Sequence, residues 1–244
     1  MIIAAIAALA LLVPHTVLAD DYGLVIDAGV EKKFNKKFTL TGLAEFQSRN
    51  TFRTVDRVSV RVGGKYRLNS WLRAEAAYQF IVVNNREHLS YNKDGSYNNW
   101  RPSFWGTRHR ATAALVASVD MGRFNVSLRE RYQYTYRPEA TTTRYDFDNE
   151  WFEDCTVKSK HDHVLRSRVK VQYNIRHCKF TPHVSAEIYT SDVYDKTKLA
   201  VGGSYTLKKH HGFVLEYQHE LLNRTQHPSS IAKQHIVAGY TYKF

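Results

Sequence analysis

The sequence lacks the features that build a helical membrane protein. Mean hydropathy is −0.47 over 244 residues, which excludes a bundle of membrane helices. No segment of useful length repeats its apolar residues at the helical spacing. Linkers rich in proline, glycine or serine are absent too, with only 5 Pro and 12 Gly in the chain. These absences favour one domain that is not helical.

The one long apolar run is the first stretch, MIIAAIAALALLVPHTVLA. It is uncharged and ends in small residues, and Val17 and Ala19 stand where signal peptidase expects its −3 and −1 residues. We therefore expect residues 1–19 to be a secretory signal peptide and residues 20–244 to form a single domain. A positively charged segment ahead of the run is missing, which leaves the true start of translation open.

The rest of the chain alternates apolar and polar residues with period two. In VSVRVGGKYRL, for example, Val58, Val60 and Val62 share one face, and Arg57 and Arg61 share the other. Most such segments have 11–14 residues, against about 5–6 for a typical soluble strand and about 9–11 for a strand crossing a bilayer. The eleven segments are 22–33, 37–47, 56–68, 71–83, 107–119, 123–136, 162–175, 180–190, 196–207, 212–222 and 232–244.

These observations predict an all-β fold, an antiparallel transmembrane β-barrel of about 10–12 strands in a bacterial outer membrane. The connections support it, because short ones alternate with longer ones at 48–55, 84–106, 137–161, 191–195 and 223–231. The count of eleven conflicts with the even number expected of bacterial barrels. Either a strand is missed, or one assignment is wrong, or the N-terminal segment runs through the lumen. A soluble periplasmic β-sandwich that binds an anionic ligand is an alternative.

The chain ends on another alternating segment, HIVAGYTYKF. Its aromatic residues Tyr240, Tyr242 and Phe244 resemble the C-terminal signal recognised by the barrel-assembly machinery, which we therefore expect as a partner. An exposed edge strand of this kind in a soluble protein would invite aggregation.

Longer stretches resemble an outer-membrane family of Bacteroidota classed as a domain of unknown function, the 2490 type. The matching stretches are EKKFNKKFTLTGLAEFQSRN, VGGKYRLNSWLRAEAAYQFI, RHRATAAL, LRERYQY and GYTYKF. The resemblance covers nearly the whole exported chain. It implies an outer-membrane barrel surrounded by lipid, and it implies no known activity and no catalytic residues.

The polar faces predict a charged lumen. A net charge of +12 and a pI near 9.6 would suit nucleic acid, anionic lipid or an acidic ligand, but a barrel leaves no role for nucleic acid. The expected basic wall is Arg57, Arg61, Lys65, Arg73, Arg108, Arg110, Arg129, Arg131, Arg166, Arg168 and Lys170. The expected acids opposite are Asp27, Glu31, Glu45, Glu187, Glu216 and Glu220.

Two interpretations of this lumen stay open. One is an ion-pair network that fills a narrow structural barrel, because small barrels have room only for their own side chains. The other is a narrow anion-preferring channel for a small anionic solute, since rings of Arg and Lys select anions. Glu130 interrupts the apolar face of its strand, so we expect a bulge or an error of register there.

Other candidate sites are weak, and we expect no enzyme, cofactor or metal. His183 and Ser185 in HVSAE resemble in three letters an outer-membrane lipid hydrolase, but their face of the strand points to the lumen. His161 and His163 are too few ligands for a metal. Cys155 and Cys178 lie at opposite ends of a strand, too far apart for a disulfide. The regions 84–106 and 137–161 read as solvated loops over the barrel mouth, with aromatic and polar residues that could bind sugars or surface partners.

Overall fold

The computed structural model describes residues 21–223, 225 and 233–244, and the expected signal peptide lies outside them. The regular elements of the described residues are fifteen β-strands. No helix in this part of the chain is long and apolar enough to cross a membrane. The strands are β1 Asp21–Lys33, β2 Phe38–Arg49, β3 Thr54–Arg67, β4 Leu72–Asn85, β5 His88–Tyr91, β6 Tyr97–Arg101, β7 Phe104–Met121, β8 Phe124–Arg137, β9 Ala140–Asp146, β10 Trp151–Val157, β11 Lys160–Tyr173, β12 Phe180–Thr190, β13 Tyr194–Leu207, β14 His211–Leu222 and β15 Lys233–Lys243.

Eleven of these strands close into a barrel, in the order β1-β15-β14-β13-β12-β11-β8-β7-β4-β3-β2. They coincide with the eleven segments predicted from the sequence, so the prediction of a closed barrel is confirmed. The sandwich alternative is wrong, because a single sheet closes on itself.

The odd strand count is explained by how the barrel closes. β1 and β15 pair in parallel, in a register that runs from Asp21 opposite Lys233 to Glu31 opposite Lys243. All other barrel neighbours are antiparallel. Alternating directions around an odd number of strands must leave one parallel pair, so no strand was missed among the described residues.

The period-two pattern puts apolar side chains outside and polar side chains inside. Val60 on β3 is 55% exposed and Leu215 on β14 is 63% exposed, whereas Gln79 on β4 is 3% exposed. A soluble protein has the reverse arrangement, and membrane barrels have this one.

The two ends of the barrel differ in their connections. At one end, here called the short-turn end, the connections are residues 34–37, 68–71, 122–123, 174–179 and 208–210. At the other, the long-loop end, they are 50–53, 86–103, 138–159, 191–193 and 223–232. Two of the connections expected to be longer are therefore short. Strands β2, β3 and β13 extend two residues further toward this end than predicted, and the ladder is irregular there, at Gln47/Ser48 and at Tyr189/Thr190.

The two longest connections form a small sheet of their own. Strands β5 and β6 come from one connection and β9 and β10 from the other, in the order β10-β9-β6-β5. The two hairpins join through Asn99 opposite Asp146 and Trp100 opposite Tyr145. The expectation of loops is wrong here, because short alternating runs such as ATTTRYD and WFEDCTV form hairpins, although none of their residues is buried. We call this unit the projecting sheet.

Candidate functional site

The lumen holds every residue of the predicted basic wall and every predicted acid. Each lies on the side of its strand opposite to the exposed apolar residues. The basic residues come from β3, β4, β7, β8 and β11, and the acids come from β1, β2, β12 and β14. Closure of the sheet places the two groups on different sides of one lumen.

Glu187 on β12 is the most heavily engaged carboxylate. It accepts hydrogen bonds from Arg129 and, at 3.2 and 2.9 Å, from Nε and Nη2 of Arg166. The hydroxyl of Tyr189 donates a further bond at 3.2 Å. The Glu187 side chain is 7% exposed, so this buried carboxylate is paired with two guanidinium groups, and ion pairing of this kind makes a buried carboxylate tolerable.

Other acids form separate pairs along the wall. Arg57 Nε donates to Glu45 at 2.9 Å, and Lys65 pairs with Glu31. Glu75, on the basic side of the barrel, receives Arg73 at 2.9 Å and lies 3.9 Å from Arg131. Part of the predicted network therefore exists as ion pairs.

The acidic side also carries bases that were not among the predicted lumen residues. Lys196 and Lys198 of β13 lie 3.0 and 3.5 Å from Glu220. His183 Nε2 lies 3.1 Å from Glu216. The picture of a basic wall facing an acidic wall is thus incomplete, because these acids have partners on their own side of the barrel. The alternation in DKTKLAV could have placed both lysines inside.

The same contact bears on the hydrolase alternative. His183 is 3% exposed and is held by Glu216 inside the barrel. Ser185 lies on the same inward face of β12. Both residues are therefore away from the outer surface, where a lipid substrate would lie.

Five cations of the basic wall have no carboxylate within 4.0 Å in the described part of the chain; they are Arg61, Arg108, Arg110, Arg168 and Lys170. Three of them donate only to neutral groups. The bonds are Arg61 to Gln79 at 3.3 Å, Arg108 to Asn85 at 3.1 Å and Arg110 to Thr135 at 3.3 Å. The basic side of the lumen therefore carries uncompensated positive charge.

Cavities lie on either side of a tightly packed middle layer. A cavity of about 320 Å³ occupies the short-turn half, and one of about 240 Å³ occupies the long-loop half beside Arg108 and Arg110. Between them Gln79 Nε2 donates to Ser59 Oγ at 2.7 Å, and both residues are 3% exposed. Hydrogen-bonded side chains therefore narrow the lumen at this level.

Glu130 on β8 places an acid on the outer surface. Its strand pairs in continuous register with β7 and β11, so the expected bulge or register error is wrong. The carboxylate points outward, and Ser167 Oγ donates to it at 2.6 Å. This bond gives the polar group a partner on an otherwise apolar face.

Aromatic residues and histidines pair on the outer surface near both ends. At the long-loop end, His161 and His163 have Nδ1 atoms 2.6 Å from the hydroxyls of Tyr134 and Tyr132. At the short-turn end, His211 Nδ1 lies 3.0 Å from the hydroxyl of Tyr240. The described residues contain no group of three or more His, Cys, Asp or Glu able to hold a metal.

The two cysteines lie at opposite ends of the barrel. Cys155 lies on β10 and Cys178 in the turn after β11, and both are free thiols.

Hydrogen bonds hold both the projecting sheet and the chain end. In β9 the pKa of Asp146 is lowered, mainly because the side chain of Asn149 donates a hydrogen bond to its carboxylate. At the C-terminus, Phe244 N donates to Glu31 O at 2.9 Å, so the chain is hydrogen-bonded to its last residue.

Comparison with known proteins places the chain in context. A family model described as "Protein of unknown function (DUF2490)" matches residues 26–230. A search of curated proteins found no match. Among solved structures, one described as "NanC porin structure in rhombohedral crystal form" aligns over 84% of this chain and 88% of its own. That alignment has 15% identity and a TM-score of 0.45, and we draw no functional conclusion from it.

Proposed function

Since the chain belongs to the DUF2490 family of proteins of unknown function, we propose a function from the barrel itself: a narrow, anion-preferring passage through a bacterial outer membrane, without enzymatic turnover. The single observation that carries the proposal is the set of lumen cations that lack a carboxylate partner.

The outer surface supports a membrane location. Its barrel strands have 11–18 residues, enough to cross a bilayer at a tilt. Exposed apolar residues cover the middle, and pairs such as Tyr134 with His161 and His211 with Tyr240 form belts near the two ends, as interfacial girdles do. The terminal strand, with Tyr240, Tyr242 and Phe244, is the segment that we propose the barrel-assembly machinery engages.

The uncompensated cations support the preference for anions. Arg108 and Arg110 border the cavity in the long-loop half, and Arg61 and Arg168 border the one in the short-turn half. Basic side chains thus stand along the route on both sides of the middle layer. Rings of Arg and Lys of this kind attract anions and repel cations.

Chloride influx into proteoliposomes tests the proposal. Vesicles that contain the folded protein and a chloride-quenched dye should lose fluorescence faster than protein-free vesicles. Arg61→Glu should slow the influx at least tenfold, because the reversal changes the charge by two units and each unit about 8 Å away contributes about 2 kcal/mol at an effective dielectric constant near 20. Lys93→Glu, an equal charge change in the turn of the projecting sheet, should leave the influx unchanged.

The middle layer favours a second candidate, a closed structural barrel. Ser59 and Gln79 are almost fully buried and bonded to each other, and Arg166 adds a 3.1 Å bond to Gln133. If folded protein admits chloride no faster than empty vesicles do, this second candidate replaces the first.

A further inference from the structure

We propose that the cavity in the short-turn half of the lumen is a binding site for a compact oxyanion, a carboxylate or phosphate that carries a small body. This inference deepens the proposed function and rests on it for the route by which the ligand arrives. Six cations line the cavity, which has a volume of about 320 Å³: Arg61, Lys65, Arg73, Arg129, Arg131 and Arg168.

The carboxylates at this cavity do not neutralise its cations. Two acids line it, Glu31 and Glu75. Lys65 engages the first, and Arg73 engages the second at 2.9 Å. Arg168 has no carboxylate within the 4.0 Å limit of an ion pair in the described residues. The cavity therefore retains an excess of positive charge that a bound anion would offset.

The register between β8 and β11 places arginines directly opposite one another. Arg129 lies directly opposite Arg168, and Arg131 lies directly opposite Arg166. Like charges at facing positions of neighbouring strands destabilise a sheet. Glu187 forms ion pairs with Arg129 and Arg166. The other arginine of each facing pair, Arg168 or Arg131, therefore lacks full charge compensation at the cavity.

The arginines at the cavity are also incompletely hydrogen-bonded. The Nε atoms of Arg129, Arg131 and Arg168 are buried and have no hydrogen-bond partner, and Arg129 is 8% exposed. A buried donor without a partner costs about 1–3 kcal/mol. An oxyanion can accept from several guanidinium donors at once, and charge-assisted bonds of this type are the strong ones.

The uncharged part of the cavity lining fits a small body rather than a second charge. It is small, apolar or hydroxylated, with Gly29, Leu43, Ala77, Ala114 and Val116 beside Thr41, Thr112 and Thr241. The volume corresponds to about ten water-sized groups at ~30 Å³ each. The anionic group would lie against the arginines of β8 and β11, and the body would lie against the small residues of β1, β2, β4, β7 and β15.

Calorimetric titration of the full chain in detergent micelles tests the site at constant ionic strength. The probes are inorganic phosphate, glycerol 3-phosphate and lactate. We expect saturable binding of at least one probe, a loss of about tenfold or more in affinity for Arg168→Gln, and no change for Arg144→Gln on the projecting sheet. Tighter binding of glycerol 3-phosphate than of phosphate would show that the body is recognised, and equal affinities would identify the free ion as sufficient.

Arg61→Gln serves as the second variant if Arg168→Gln does not fold, and it should weaken binding as well. No saturable heat from any probe with folded protein would overturn the proposal, as would unchanged affinity in both variants. Binding is measured here without transport. Folded protein that binds an oxyanion but admits no chloride would refute the passage alone, and one that admits chloride without saturable binding would refute the site alone.

Discussion

Removing the charge of Glu187 should destabilise the barrel more than any other single neutralisation of an acid. The Glu187→Gln variant keeps the shape of the side chain but leaves Arg129 and Arg166 without their carboxylate. The side chains of the two arginines are only 10% and 15% exposed, so bulk water replaces little of the lost interaction. Removing one partner of a buried ion pair costs about 3–5 kcal/mol, and we expect a loss in this range.

Urea unfolding in lipid vesicles measures the loss, followed by tryptophan fluorescence and by the shift between folded and unfolded bands on unheated gels. Glu153→Gln is the matched control, because Glu153 accepts from Arg144 at 2.6 Å on the exposed projecting sheet. Exposed pairs contribute little, so the control should scarcely change. A loss at Glu187 no larger than that of the control would refute the reasoning, since it would mean that water already solvates both guanidinium groups.

Three further predictions follow from the topology and the packing. In intact cells an impermeant maleimide should label Cys155 and not Cys178, because the two lie at opposite ends of the barrel and the long-loop end is expected outside the cell. Labelling of Cys178 alone would show that the barrel has the opposite orientation. Glu130→Leu should raise the free energy of unfolding by about 1–3 kcal/mol in urea titrations, because a carboxyl group on a lipid-facing surface is costly; a loss of stability would contradict its lipid exposure. Gly202→Ala should destabilise by about 1–3 kcal/mol, since its new Cβ would lie 2.2 Å from a backbone carbonyl of β14. Gly239→Ala, whose Cβ would meet its nearest atoms at 3.5 and 3.7 Å, should be tolerated, and equal melting of the two variants would speak against this packing.

The sequence predicts the barrel well because a strand with one lipid-facing and one lumen-facing side has a strict period of two. That period locates all eleven barrel strands and assigns each charged residue to a side. It does not predict how the barrel closes. Parallel and antiparallel neighbours carry the same alternation, so nothing in the face pattern of β1 shows that it pairs in parallel with β15.

The remaining misses have similar physical causes. The hairpins of the projecting sheet are short, and the pairing of Trp100 with Tyr145 joins segments far apart in the chain. Glu130 interrupts the apolar pattern, but Ser167 on the neighbouring strand donates a hydrogen bond to its carboxylate and the backbone keeps its register. The partnership of His183 with Glu216 joins two strands that are not adjacent, so it depends on side-chain reach across the lumen, which a face pattern alone does not give.

The most direct test of the central claim is the reversal potential of single channels of the wild-type protein in a planar bilayer under a steep KCl gradient. The uncompensated lumen cations predict steady current steps and a reversal potential displaced toward the equilibrium potential of chloride. A displacement toward the equilibrium potential of potassium would contradict an anion-preferring passage, and silence from protein verified as folded in the bilayer would contradict a passage of any kind.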